Sequence, residues 1–260
     1  MKRWRTFPHL GQFAFDRKSV RRQWSRLHAS DQEPLPDTPE LLDAWALFHN
    51  GEFENAFQAG SALGPAGATL ANKAVCAYAS HLEPDALRRQ ELFQQVAERA
   101  AAQIQQNPDD VNAHYLQAYA LARYSEGLSV AKALAQGLGS KVKTALETAI
   151  QLEPRHADAY IALGAFHAEV IDKVGALIGA MTYGAKRDKS LQLFQQGLDL
   201  IPQSSRGLSE YAAALIMLDG DRGQEQALEL HRQATTQQAI DALELLHLEA
   251  ARACPPCEAP

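Results

Sequence analysis

The sequence predicts an all-α fold, a helical repeat built from stacked hairpins. Three observations carry that prediction. No run of about 4–8 residues alternates β-branched or aromatic residues with polar ones, so nothing reads as a strand. Apolar residues make up 46% of the 260-residue chain, enough to exclude global disorder, while aromatics make up only 7% and Ala and Leu recur at helical spacing. Pro108, Pro154 and Pro202 then stand 46 and 48 residues apart, each in a polar corner between two helical stretches.

Taken in order, residues 1–38 read as a basic N-terminal arm. FPHLGQFAF is expected to be extended. DRKSVRRQWSRLHAS is expected to form about four helical turns, with Val20, Trp24, Leu27 and His28 on one face. The three prolines of EPLPDTP end that helix, since proline has no backbone N–H to donate and its ring clashes with the preceding turn. A helix start follows: Thr38 offers a capping hydroxyl, Pro39 a φ already fixed, and Glu40 a negative charge at the positive end of the helix dipole.

Residues 39–253 read as the repeat domain. Its first hairpin, 39–63, carries Trp45 and Phe48 on one helix, turns at Asn50-Gly51, and carries Phe53, Ala56 and Phe57 on the other. An Ala-rich helix is expected from Pro65 to Ser80, and Pro84 opens a long helix that stops at Asn107-Pro108. Two segments lengthen the later units, EGLSVAKALAQGLGSK and DKVGALIGAMTYGAKR. Gly127 and Gly175 each lie 27 residues before the next proline of the series, so each segment is expected to hold a short extra helix flanked by glycines. Three further helices close the array, the last with Asp241, Glu244 and Glu249 as the polar face of a cap. Residues 254–260, CPPCEAP, read as a flexible tail that its prolines keep out of a helix.

The stretch VKTALETAIQLEPRHADAYIALGAFH, residues 142–167, resembles the junction between two tetratricopeptide-repeat (TPR) units. Ala149 and Gly164, five before and ten after Pro154, would let helix backbones approach closely; Leu146, Tyr160 and Leu163 would fill the space between them. The elongated units with glycine-bounded inserts are similar to the T component associated with TRAP transporters and to the helical-repeat family that includes regulators of microtubule dynamics. This resemblance implies a TPR-like α-solenoid that holds a protein or peptide in a concave groove, and it brings no active-site residues with it. A small apolar ligand, held between inserts and repeats, is the other role it implies.

Charge is unevenly spread. Residues 1–30 carry eight Lys and Arg against Asp16 alone, a net of +7, so the rest of the chain must carry −13 to give the total of −6. A basic arm on an acidic body is expected to lie on that body, and nucleic acid is not an expected partner because a single basic helix is weak evidence for it. The first 30 residues hold no continuous apolar core of a leader, and the stretch from Val174 to Ala185 is too short to cross a membrane, so a cytoplasmic protein is expected. Three cysteines make no disulfide framework.

The residues that could carry chemistry do not assemble into a site. Cys254-Pro-Pro-Cys257 has the spacing of a redox pair, but no helix can follow it to stabilise a thiolate, and two thiolates fall short of a structural zinc site. His167-Ala-Glu169 with that tail has parts of a zinc-deaminase pattern, yet the halves lie 85 residues apart and no proline precedes Cys254. No pair among His114, His156, His167, His231 and His247 has HExxH spacing. No catalytic residue, metal or cofactor is therefore expected. The candidate groove residues are Asn112, His114, Arg155 and Arg206, a thin ladder of polar groups around successive first helices, with Tyr160 and His167 beside them.

Overall fold

A computed structural model describes residues 3–253, and the expected tail with Cys254 and Cys257 lies outside them. Among the described residues there are helices and turns and no strand. The chain divides into two compact units. The first comprises residues up to His28, Gln32–Leu152 and Ile240–Leu243; the second comprises Ala29–Asp31, Glu153–Ala239 and the residues from Glu244 onward.

In the first unit, α1 (Arg17–Leu27) begins at a reciprocal cap: the Asp16 carboxylate accepts from the Ser19 N–H at 2.7 Å, and the Asp16 N–H donates to the Ser19 hydroxyl at 2.8 Å. Three hairpins follow. They pair α2 (Pro39–His49) with α3 (Phe53–Ala62), α4 (Ala68–His81) with α5 (Ala86–Gln106), and α6 (Val111–Glu126) with α8 (Leu138–Leu152). Thr38 caps α2 as its hydroxyl accepts from Leu41, and Gly51 leaves the helix at φ +85°, so both ends of α2 sit where the sequence puts them. α4 is hidden nearly all round, as its run of small residues permits; Leu70, Ala74, Val75, Tyr78 and Ala79 are buried.

The residues before α2 line this core. Trp4 stacks on Tyr78 at 4.2 Å and on Phe57 at 5.5 Å, Phe7 meets Phe53 edge-on, and Trp24 meets Trp45 edge-on at 5.6 Å. Residues 8–11, expected to be extended, form a turn in which the Gln12 N–H donates to the His9 carbonyl at 3.0 Å and Gly11 takes φ +92°. Beyond it Asn50 holds Phe15 by both ends of its amide, accepting from the Phe15 N–H at 2.7 Å and donating to the Phe15 carbonyl at 3.0 Å. Along α1 the buried residues are Val20 and Trp24, and His28 just beyond the helix is buried too; Leu27, expected among them, is only half-buried. The buried stripe therefore runs i, i+4, i+8, and Leu27 falls at its edge.

In the second unit, α9 (Ala157–Val174) pairs with α11 (Arg187–Leu200), and α12 (Ser205–Asp219) pairs with α13 (Gln224–Thr235) and packs on α9. Ile161, Phe194, Leu208, Tyr211 and Leu215 form the core, with Ala251 of α14 (Ala242–Ala253) joining it. Gly164 is where the helices close in. A Cβ there would lie 2.9 Å from the Phe194 ring, and the Gly164 carbonyl accepts from the buried Ser190 hydroxyl at 2.7 Å.

The two inserts are helices, as their flanking glycines suggest. They are α7 (Val130–Ala135), packed on α8, and α10 (Ala176–Tyr183), packed on α9. The end of the array departs from expectation. Asp241, assigned to a polar outer face, is buried in the first unit with its carboxylate 2.7 Å from His49 Nδ1.

Candidate functional site

The corner prolines give each unit the same frame. Asn112, Asp158 and Arg206 each lie four residues after one, at the second position of α6, α9 and α12. Asp158 and Arg206 thus stand at matching positions of α9 and α12, which pack together in the second unit and can present side chains to one another or to a ligand. The structure uses this register in two ways.

In the first unit, Asn112 is buried, and its amide donates to Glu33 Oε2 at 2.6 Å. Glu33 is held from its other side as well, since its carbonyl accepts from Trp24 Nε1 at 2.7 Å. A carboxylate from the arm thus fills the polar position of α6. His114, on the same helix, donates from Nε2 to the Pro108 carbonyl at 2.8 Å and so braces its own corner.

In the second unit, Arg206 is largely buried and stands between two carboxylates: Nε donates to Glu210 Oε1 at 2.9 Å, and Nη1 lies 3.7 Å from Asp158 Oδ1. Arg155 is exposed in the corner, with its N–H donating to Glu153 Oε1 at 2.8 Å. Tyr160 is half-buried on α9, while His167 is buried, its ring edge-on to Phe166 at 5.9 Å. Of the six candidate residues, Asn112 and His114 thus belong to the first unit and the other four to the second.

Sequence reasoning passed over two groups. The carboxylates on Arg206 are one. Glu210 could have been found by its i, i+4 spacing, and Asp158 by standing 48 residues before Arg206 in the register of the prolines. The other is a polar cluster between α4 and α5 that has no sequence signature. Arg99 Nε donates to Asn72 Oδ1 at 2.8 Å, its guanidinium lies over the Phe57 ring, and Gln103 donates to Thr69 and to Asp110 at 2.8 Å each. Burial pulls the Arg99 pKa down, because taking the guanidinium out of water disfavours its charged form. Among the described residues no group of three or more His, Cys, Asp or Glu could hold a metal ion, and no helix is long and apolar enough to cross a membrane.

With this geometry in hand, a comparison with solved structures is decisive for the fold. The chain is similar to a thermophilic TPR protein of Thermus thermophilus, with a TM-score of 0.57 over 83% of this chain and 98% of that one, at 15% identity. This chain is a TPR-like helical repeat. The family model described as regulator of microtubule dynamics protein 1-3 matches residues 67–177 of the TPR-like repeat, from the start of α4 to the start of α10. No curated protein matches its sequence.

Proposed function

We propose that this TPR-like repeat is a non-enzymatic interaction scaffold, binding an extended segment of a protein partner at α9 and α12 of its second unit. The observation that carries the reading is the shared register of Asp158 and Arg206 in the second unit, each four residues after its corner proline. Polar groups repeated at one position of neighbouring first helices can meet successive polar groups of an extended chain. The network of Arg206 with Asp158 and Glu210 supports a partner with alternating charge, because a planar guanidinium holding two carboxylates can exchange either for a carboxylate of the ligand. An enzymatic reading has less support, since no nucleophile lies beside a general base among the groups described above.

The test is cross-linking of the intact chain in a lysate followed by mass spectrometry, with Arg206→Ala as the comparison. A partner whose cross-links map to α9 and α12, and whose recovery falls about tenfold in the variant, is the expected result. Partners recovered equally by both proteins would remove Arg206 from the site and the proposal with it.

A further inference from the structure

The insert helix α10 carries its apolar residues on the outside. Leu177 is 75% exposed, Ile178 57% and Met181 81%, all within a helix of eight residues. Its inner side is fixed. Gly179 is buried so close to α9 that a Cβ would lie 3.0 Å from Val170, its carbonyl accepts from the Ala185 N–H at 3.1 Å, and the Tyr183 ring meets Phe166 edge-on at 5.9 Å. Leu177 and Met181 are one turn apart, and each is two residues from Gly179, so they project from the side opposite the contact with α9. Gly175 and Gly184, at φ +82° and +65°, let the chain turn sharply into and out of this helix.

The surroundings point to the occupant. Lys173, Lys186, Arg187 and Lys189 bracket α10 along the chain against Asp172 and Asp188, a local excess of cations in a protein of net charge −6. Arg187 is engaged by Asp219 and Asp188, and Lys173 reaches Glu169 at 3.0 Å; Lys186 and Lys189 are exposed. Three side chains on two helical turns offer far less than the roughly 800 Å² per partner of a standard protein interface, so a second copy would find too little to hold. A bilayer makes no such demand. A few apolar side chains in the acyl boundary, with lysines at the headgroup level, form the pattern of an interfacial anchor. We infer that α10 is a membrane-surface contact, inserting Leu177, Ile178 and Met181 into a bilayer rich in anionic lipid while Lys186 and Lys189 meet the headgroups.

The experiment is co-sedimentation of the full chain with vesicles of phosphatidylcholine alone and with added phosphatidylserine. The expected result is binding to the anionic vesicles, weakened by salt and reduced at least about tenfold by Leu177→Asp with Met181→Asp. Lys186→Glu with Lys189→Glu should reduce it less. All four sites are exposed, so circular dichroism and melting should match the parent and exclude misfolding as the cause. Two results would overturn the inference: no binding to either vesicle, or binding that the Asp pair leaves unchanged, which would assign the surface to the basic residues before α2. A dimer that the Asp pair abolishes, in a protein that ignores vesicles, would make the helix a contact between copies and overturn it equally.

Discussion

His49 Nδ1 lies 2.7 Å from Asp241 Oδ2, both side chains buried, though 192 residues separate them. His49 ends α2 and sits in an aromatic cage of Phe15, Trp45, Phe48 and His28. Asp241 stands at the start of α14. Within the first unit this bond ties Asp241 to the end of α2. In apolar surroundings a buried imidazole N–H that loses its acceptor has none of the compensation water would give.

Removing the acceptor should therefore cost more than changing its charge. Asp241→Ala is expected to lower unfolding stability by about 2–4 kcal/mol, since it leaves the buried imidazole without its hydrogen bond. Asp241→Asn keeps an acceptor oxygen at the same place and should cost about half as much or less. Urea denaturation of the three proteins checks the order; equal losses would show that packing, and not the bond, matters at this position.

Gly164→Leu should destabilise the second unit by about 1–3 kcal/mol or more, because even a Cβ there would crowd the Phe194 ring at 2.9 Å. Gly164→Ala should show a smaller loss of the same sign. A melting temperature unchanged in both would place Gly164 away from any close contact.

What the sequence made legible follows from distance along the chain. Corner prolines, helix caps and glycine-bounded inserts are local signals, and the helices fall where those signals put them. Gly164 was legible as a close approach because its spacing from Pro154 belongs to a known repeat junction. Asp241 was not: an acid just before a helix looks the same whether it faces water or a histidine 192 residues away. Trp4 and Phe7 were equally opaque, since an irregular segment has no period from which to read a buried face. At the candidate site, polar residues near the corners could be picked out, but their partners Glu33, Asp158 and Glu210 come from packing and from the repeat register.

Acid should weaken the contact between α11 and the end of α12. The Arg187 guanidinium, bonded through Nε and Nη2 at 2.7 Å each, holds the Asp219 carboxyl below its usual range. A carboxyl whose folded pKa is depressed adds stability above its unfolded value, about 3.9, and loses it as pH falls through the folded one. Arg187→Ala should thus cost about 0.5–1 kcal/mol at neutral pH, Arg187 itself being half-exposed, and the difference from the parent should vanish below about pH 3. Chemical denaturation across that range is the measurement, and a difference that persists at low pH would rule the ion pair out as its cause.

Cys76 should be inert while the protein is folded. Burial pushes its thiol up to about 12, so almost no thiolate exists at neutral pH. With Cys254 and Cys257 replaced by Ser, a thiol-reactive dye should label the native protein negligibly and label it fully in denaturant. Rapid native labelling would mean that α4 opens far more readily than its burial indicates.

The residues before α2 should behave as part of the first unit and not as a detachable arm. Trp4, Phe7, Val20 and Trp24 are each buried there, and each such side chain contributes about 1.5–3 kcal/mol when removed from water. The charges around them contribute less. Arg21, Arg22 and Arg26 are exposed, and the ion pair of Arg17 with Asp43 is half-exposed, so solvent screens each of them and none is expected to add much. The apolar side chains should therefore decide the attachment. Trp24→Ala should cost about 3–5 kcal/mol, because it empties the space beside Trp45 and removes the indole N–H that donates to the Glu33 carbonyl, whereas Arg21→Ala with Arg22→Ala should cost under about 1. Limited proteolysis with trypsin gives an independent check. The exposed arginines of α1 should resist cleavage for as long as the whole first unit does, since a protease needs an unwound segment. Early cuts at Arg21, Arg22 and Arg26, with residues 39–253 left intact, would mean that the segment detaches on its own and that its burial contributes far less than these side chains imply.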